Sequence, residues 1–129
     1  MADDTARLTR LLAATPRPSL RLLVLFGSRV RGDATADADW DLAFVADDGF
    51  DPDALVADLA LDLGADDIDL VDLSRAGGQV RYRVARDGRV LYEHVPGEFS
   101  RFWFDAVSFW SDVAPVLGRA YEGVLSRLG

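Results

Sequence analysis

The spacing of apolar residues divides the chain into short, regular elements. Leu8, Leu11 and Leu12 recur at helical spacing within Thr5 to Ala14, and Pro16 and Pro18 close that segment. Leu20 to Phe26 is a near-continuous apolar run ending at Gly27, the pattern of a buried strand. Ser28 stands at a helix N-cap position, and Gly32 stops the short turn after it. Trp40 to Ala46 reads as a second strand. Pro52 to Leu63 carries Leu55, Val56, Leu59 and Leu63 on one helical face, with Gly64 just past its end. Ile68 to Leu73 is a third strand. A short helix around Val80 to Ala85, a turn at Asp87-Gly88 and a small strand, Arg89 to Tyr92, follow. Beyond Pro96-Gly97 one long helix is expected to about Leu128, with a bend at Pro115 and Gly118. Strands interleaved with helices predict an α/β (α+β) domain around one central sheet.

Composition narrows the partners. At 129 residues the chain fits one domain, residues 1–129, with the long helix over about 98–128. No window approaches the roughly 18 apolar residues of a membrane span, and the acidic start, Met1-Ala2-Asp3-Asp4, is unlike a signal peptide. Cysteine is absent, which excludes disulfides and thiolate metal sites and makes the cytoplasm the expected location. The net charge of -8 argues against a long nucleic-acid footprint, yet leaves room for a single nucleotide screened by a metal ion. Scattered acids such as Asp3, Asp47, Asp48 and Asp58 match a bias of genome composition; carboxylates inside strands do not.

Three such features carry candidate chemistry. At Gly27-Ser28 a strand gives way to a helical turn, where glycine lets the backbone approach a ligand and free N–H groups favour phosphate. By itself a Gly-Ser after a strand is common. Asp39 and Asp41 lie one residue apart, so period-two geometry puts both on one face and turns Trp40 into the core. An isolated Asp-x-Asp is more often a solvated strand edge than a cation site. Asp69 shifts the balance, because it shares its face with Val71 and Leu73. Were this strand beside that of Asp39 and Asp41, three carboxylates would converge, the ligand set of two Mg²⁺ ions in phosphoryl transfer. Asp72 has the opposite parity and is expected to face solvent or end the strand, and Asp67 lies nearer the loop.

Gly27-Ser28, ten intervening residues and Asp39-Trp40-Asp41 resemble the signature of the DNA polymerase beta-type nucleotidyltransferase superfamily. Phe26, Arg29, Arg31, Gly32, Asp33, Asp39 and Leu42 further resemble the minimal nucleotidyltransferase, or MNT, domains. The likeness runs through Asp69-Leu70-Val71-Asp72-Leu73 and Arg86 to Tyr92, covering about residues 20–93. It implies a nucleotidyltransferase fold with a small mixed sheet flanked by helices. Asp39 and Asp41 would hold the metals, and Asp69 would bind the catalytic one and help activate the acceptor hydroxyl. Gly27 and Ser28 would hold the donor's phosphates, with Arg29 able to reach the triphosphate. MNT domains are often antitoxins paired with an HEPN-domain ribonuclease toxin, and some adenylylate a tyrosine of that toxin with ATP as donor. The expected activity is therefore Mg²⁺-dependent transfer of AMP to a protein hydroxyl. A non-catalytic antitoxin that acts by binding, and a small-molecule nucleotidyltransferase, are the alternatives.

Arg29 and Arg31 are as readily solvated turn residues as phosphate ligands, and the lone His94 is given no role. The long helix carries three adjacent apolar rows: Trp103, Trp110, Leu117 and Val124; Phe99, Ala106, Val113 and Ala120; Phe102, Phe109 and Val116. At 1.5 Å per residue this stripe is about 45 Å long, more than a small domain covers. The excess predicts a protein partner or homo- or hetero-oligomer through Phe102, Trp103, Phe109 and Trp110, some of which must serve the core.

Overall fold

The computed structural model describes residues 2–27, 30 and 39–128, with side-chain surroundings for 5–27, 30, 39–113 and 115. The elements are α1 (Ala2–Ala14), β1 (Leu20–Phe26), β2 (Trp40–Ala46), α2 (Pro52–Leu63), β3 (Ile68–Asp72), α3 (Gly78–Asp87), β4 (Arg89–Glu93) and α4 (Glu98–Leu128). The strands form one mixed sheet in the order β3-β2-β1-β4. Strand β1 runs antiparallel to both β2 and β4, whereas β2 and β3 are parallel. That parallel pair requires a crossover, which α2 supplies.

Alternation along the strands builds a core on each face of the sheet. Leu23 and Leu25 of β1, Trp40, Leu42 and Phe44 of β2 and Leu91 of β4 meet α1 and α2 through Leu8, Leu12, Leu55 and Leu59. The intervening residues, Leu22, Val24, Phe26 and Ala43, meet Val84 and Ala85 of α3 and Phe102 and Ala106 of α4. The result is three layers, α1/α2, sheet and α3/α4. Each fully buried leucine contributes about 1.5–3 kcal/mol through removal of apolar surface from water.

Local chemistry sets the bounds of α2 as the sequence predicts. The Asp51 carboxylate accepts N–H bonds from Asp53 at 3.1 Å and Ala54 at 3.2 Å, and Pro52 occupies the first turn. At its other end Gly64 is left-handed (φ 64°) and donates to the Ala60 carbonyl at 2.9 Å.

The expected turn at Asp87-Gly88 takes a different form. Gly88 has extended dihedrals (φ -70°, ψ 148°), so α3 passes straight into β4. A glycine is needed there for space, since a Cβ would lie 2.3 Å from the Val84 carbonyl oxygen and 2.4 Å from Val24 Cγ1. Helix α3 is also longer than the apolar spacing implied, because Gly78, Gln79, Arg86 and Asp87 join its ends without adding to its buried face. Helix α4 is a single element of 31 residues with Pro115 inside it. Arg21 ties its first turn to the sheet through Glu98 and also meets Asp47 at 3.3 Å; the bond to Glu98, then that to Asp47, raises the Arg21 pKa above its ordinary value. Among the described residues no helix is long and apolar enough to cross a membrane.

Candidate active site

The sheet has one end where β1 finishes and β2 and β3 begin, and the candidate residues gather there. Gly27 follows β1 with φ 82°, a conformation costly for any residue with a side chain. Its carbonyl accepts the Val30 N–H at 3.2 Å, which closes a tight turn, and Val30 packs against the α1/α2 side of the core. Ser28 and Arg29, the other two phosphate candidates, lie outside the described residues, as do residues 31–38, including Arg31.

The start of β2 is locked to β3 by the Trp40 N–H, which donates to the Asp67 carbonyl at 2.8 Å. Trp40 is buried, as its parity required. From that anchor the parallel register follows: Asp41 lies opposite Asp69, and on the other side opposite Phe26. Both carboxylates share one face of the sheet. Ala43 and Val71, the next residues of that parity, belong to the α3/α4 side of the core, whereas Leu42 and Leu70 pack on the other. Neighbouring strands are about 4.8 Å apart, so the paired aspartates are side by side. Asp39 is exposed at the entry to β2 with the same parity.

Two carboxylates so placed repel, and a cation between them is the usual relief. Their donor atoms are all oxygen, which suits hard ions such as Mg²⁺ or Ca²⁺. The structure brings Asp41 and Asp69 into register and leaves Asp39 at their edge. Among the described residues no group of three or more His, Cys, Asp or Glu is gathered closely enough to enclose an ion.

Gly27 has a second reason to be glycine that sequence reasoning missed. A Cβ at this position would stand 2.4 Å from Asp41 Oδ2. The turn backbone and the Asp41 carboxylate are therefore in direct apposition, and an anion held by the turn would lie next to that carboxylate. The motif spacing hinted at this proximity; only the antiparallel pairing of β1 with β2 creates it.

The remaining acids divide as parity indicated. Asp72 lies opposite Phe44, and its carboxylate accepts the Ser74 N–H at 2.9 Å and meets Arg75 at 3.7 Å, so it ends the strand. Asp67 is exposed and acts through its carbonyl. A cavity of about 590 Å³ is bordered by Phe44, Phe50, Leu70, Asp72 and Arg75. It lies at the opposite end of β2 and β3, away from the carboxylate pair. Asp72 thus serves the fold, whereas Asp69 stays in register with Asp41 at the other end of the strand pair.

The mixed sheet, with a turn glycine set against Asp41 and Asp69 opposite Asp41 in register, is of the nucleotidyltransferase type. The family model described as polymerase beta, nucleotidyltransferase matches residues 10–96, and the chain belongs to that family. It is a homologue of protein adenylyltransferase MntA from Aphanizomenon flos-aquae (strain 2012/KM1/D3), with 35% identity over 101 residues, 68% of this chain and 67% of the relative. Among solved structures it is similar to a chain of a toxin-antitoxin crystal structure with AMP-PNP, at 27% identity and TM-score 0.74, covering 94% of this chain and 98% of that one. It is similar also to a chain in the structure of tri-AMPylated Shewanella oneidensis HEPN toxin in complex with MNT antitoxin, at 26% identity and TM-score 0.69, covering 96% and 98%.

Proposed function

We propose that this chain is an antitoxin that transfers AMP from ATP to a tyrosine of a cognate HEPN-domain ribonuclease toxin. The observation that carries the reading is the Asp41–Asp69 register pair with Gly27 set against Asp41. The homologous adenylyltransferase, and the adenylylated HEPN toxin bound to an MNT antitoxin in a similar structure, support the donor and the acceptor.

In the reaction the tyrosine oxygen attacks the α-phosphorus of ATP, the bond to the β-phosphate bridging oxygen breaks, and pyrophosphate leaves. Asp69, the carboxylate more open to solvent, draws the phenolic proton toward the acceptor side. Asp41, against the Gly27 turn, faces the phosphates. Gly27, with Ser28 and Arg29, orients the leaving pyrophosphate through N–H groups and positive charge. Mg²⁺ ions held by Asp39, Asp41 and Asp69 would neutralise the triphosphate and the departing pyrophosphate. ATP as donor places the reaction in the cytoplasm.

Intact-mass spectrometry of the toxin after incubation with this chain and Mg-ATP tests the proposal. Wild type adds adenylyl groups to tyrosine, while Asp41→Asn loses at least about 10²–10³-fold in rate and retains its melting temperature. An unmodified toxin that is still silenced by wild type would sink the transfer reading and leave a binding antitoxin.

A further inference from the structure

Among the described residues β3 is the last strand of the sheet, so one of its edges has no strand beside it. Two hydrogen bonds reveal which backbone groups that edge presents. The Asp67 carbonyl accepts from the Trp40 N–H at 2.8 Å, and the Leu73 N–H donates to the Phe44 carbonyl at 2.9 Å. Both residues therefore turn their backbone toward β2. The direction alternates along a strand, so Asp69 and Val71 also face β2, while Ile68, Leu70 and Asp72 face away. The Asp72 carbonyl is taken up by the Arg75 N–H at 3.1 Å. The outward N–H and C=O groups of Ile68 and Leu70 meet no partner among the described residues.

An open edge of this kind is a template for another extended segment. Here the edge also carries the candidate chemistry, because Asp69 stands between the two outward-facing residues. In antiparallel addition Ile68 and Leu70 would each exchange two hydrogen bonds with the incoming strand. The residue opposite Asp69 would fall in the non-hydrogen-bonded pair, with Cα atoms about 4.5 Å apart. Its side chain would stand on the face that Asp69 shares with Asp41.

The neighbouring side chains of the added strand would point to the other face, that of Leu70. There the cavity of about 590 Å³ bordered by Phe44, Phe50 and Leu70, with Asp72 and Arg75, adjoins the edge. It offers apolar walls to a side chain one or three residues before the one opposite Asp69. Charge narrows the occupant further. Four of the seven residues from Asp66 to Asp72 are aspartates, and Asp66, Asp67 and Asp69 are exposed. A second copy laid antiparallel on this edge would set those aspartates against one another, which opposes self-pairing. A segment with basic residues beside its acceptor gains from them instead.

We propose that the outer edge of β3 receives the acceptor as an added antiparallel strand. The occupant is an extended peptide segment flanked by basic residues, with its tyrosine opposite Asp69 and a preceding apolar side chain in the Phe44–Phe50 cavity. That its tyrosine is the acceptor rests on the proposed function; the edge pairing does not.

The test uses the full chain and, as probe, the octapeptide Lys-Thr-Leu-Thr-Val-Tyr-Thr-Lys, blocked at both ends. Amide hydrogen exchange is followed residue by residue by NMR, with peptide at up to about 1 mM. Exchange at Ile68 and Leu70 should slow about tenfold or more, while Asp69 and Val71, already bonded to β2, should change little. With Mg-ATP, mass spectrometry should find an adenylyl group on the peptide's tyrosine. N-methylation of the valine, or of the threonine after the tyrosine, removes an amide aimed at β3 and should abolish both effects. N-methylation of the tyrosine, whose amide points away from β3, should preserve both. Protection without transfer would overturn the catalytic reading and leave the edge pairing standing. The pairing is overturned if Ile68 and Leu70 are not protected, with or without transfer, or if all three methylated peptides behave alike. It is overturned equally if exchange at Ile68 and Leu70 slows as the chain alone is concentrated, which would give the edge to a second copy.

Discussion

The two helical layers do different work although they cover the same sheet. On the α1/α2 side, Leu8, Leu12, Leu55 and Leu59 are all buried against the strands, and α2 has side-chain or glycine caps at both ends. On the α3/α4 side, Val84, Ala85, Phe102 and Ala106 reach the sheet, but three large aromatic residues of α4 do not. That second face also carries Asp41 and Asp69. The first layer is thus closed by its own apolar residues, and the second combines partial burial with charge and exposed rings. Full closure and partial exposure are divided by sheet face, which alternation along a strand makes possible: successive residues face opposite layers.

The largest contrast is expected between truncations on the two sides. Leu59→Ala, which empties a fully buried position, should cost about 2–5 kcal/mol of stability, whereas Trp103→Ala should stay within about 0.5 kcal/mol of wild type. Urea denaturation of both variants measures the difference. Equal losses would mean that the exposed row of α4 is part of the core and that the contrast between layers is false.

A smaller effect lies where the faces meet. Gly27→Ala adds a methyl group 2.4 Å from Asp41 Oδ2 at a φ of 82°, and should cost about 1–3 kcal/mol through backbone strain. Because it displaces the Asp41 carboxylate, transfer should fall by more than the stability loss explains. Denaturation together with single-turnover transfer under fully folding conditions separates the two. Wild-type transfer in a folded Gly27→Ala protein would detach the turn from the carboxylate.

The smallest expected effect concerns the cap of α2. Asp51→Ala removes an acceptor of two backbone N–H groups and should cost about 1 kcal/mol, with no change in transfer or partner binding. Thermal melting and the transfer assay check both halves. Altered transfer would show that the α1/α2 layer reaches the site and would blur the division between the layers.

Much of this architecture is legible along the chain because its determinants are local. The run Leu20–Phe26, the helical face of Leu55 and Leu59, and the Pro52 and Gly64 boundary signals depend on residues within a few positions of one another. So does the parity that puts Asp41 and Asp69 on one face of their strands while turning Trp40 and Asp72 away. Tertiary structure alone decided that β3 lies next to β2 in parallel, with Asp69 opposite Asp41, and that Gly27 abuts the Asp41 carboxylate. Those relations come from pairing between segments distant in sequence, where the Trp40 to Asp67 hydrogen bond and the crossover of α2 select the register. The same limit applies to α4: Phe102 and Trp103 are adjacent aromatic residues on one apolar stripe, and nothing local distinguishes them. The packing of α4 against α3 and the sheet buries one and leaves its neighbour exposed, because a helix can turn only one arc of its surface inward.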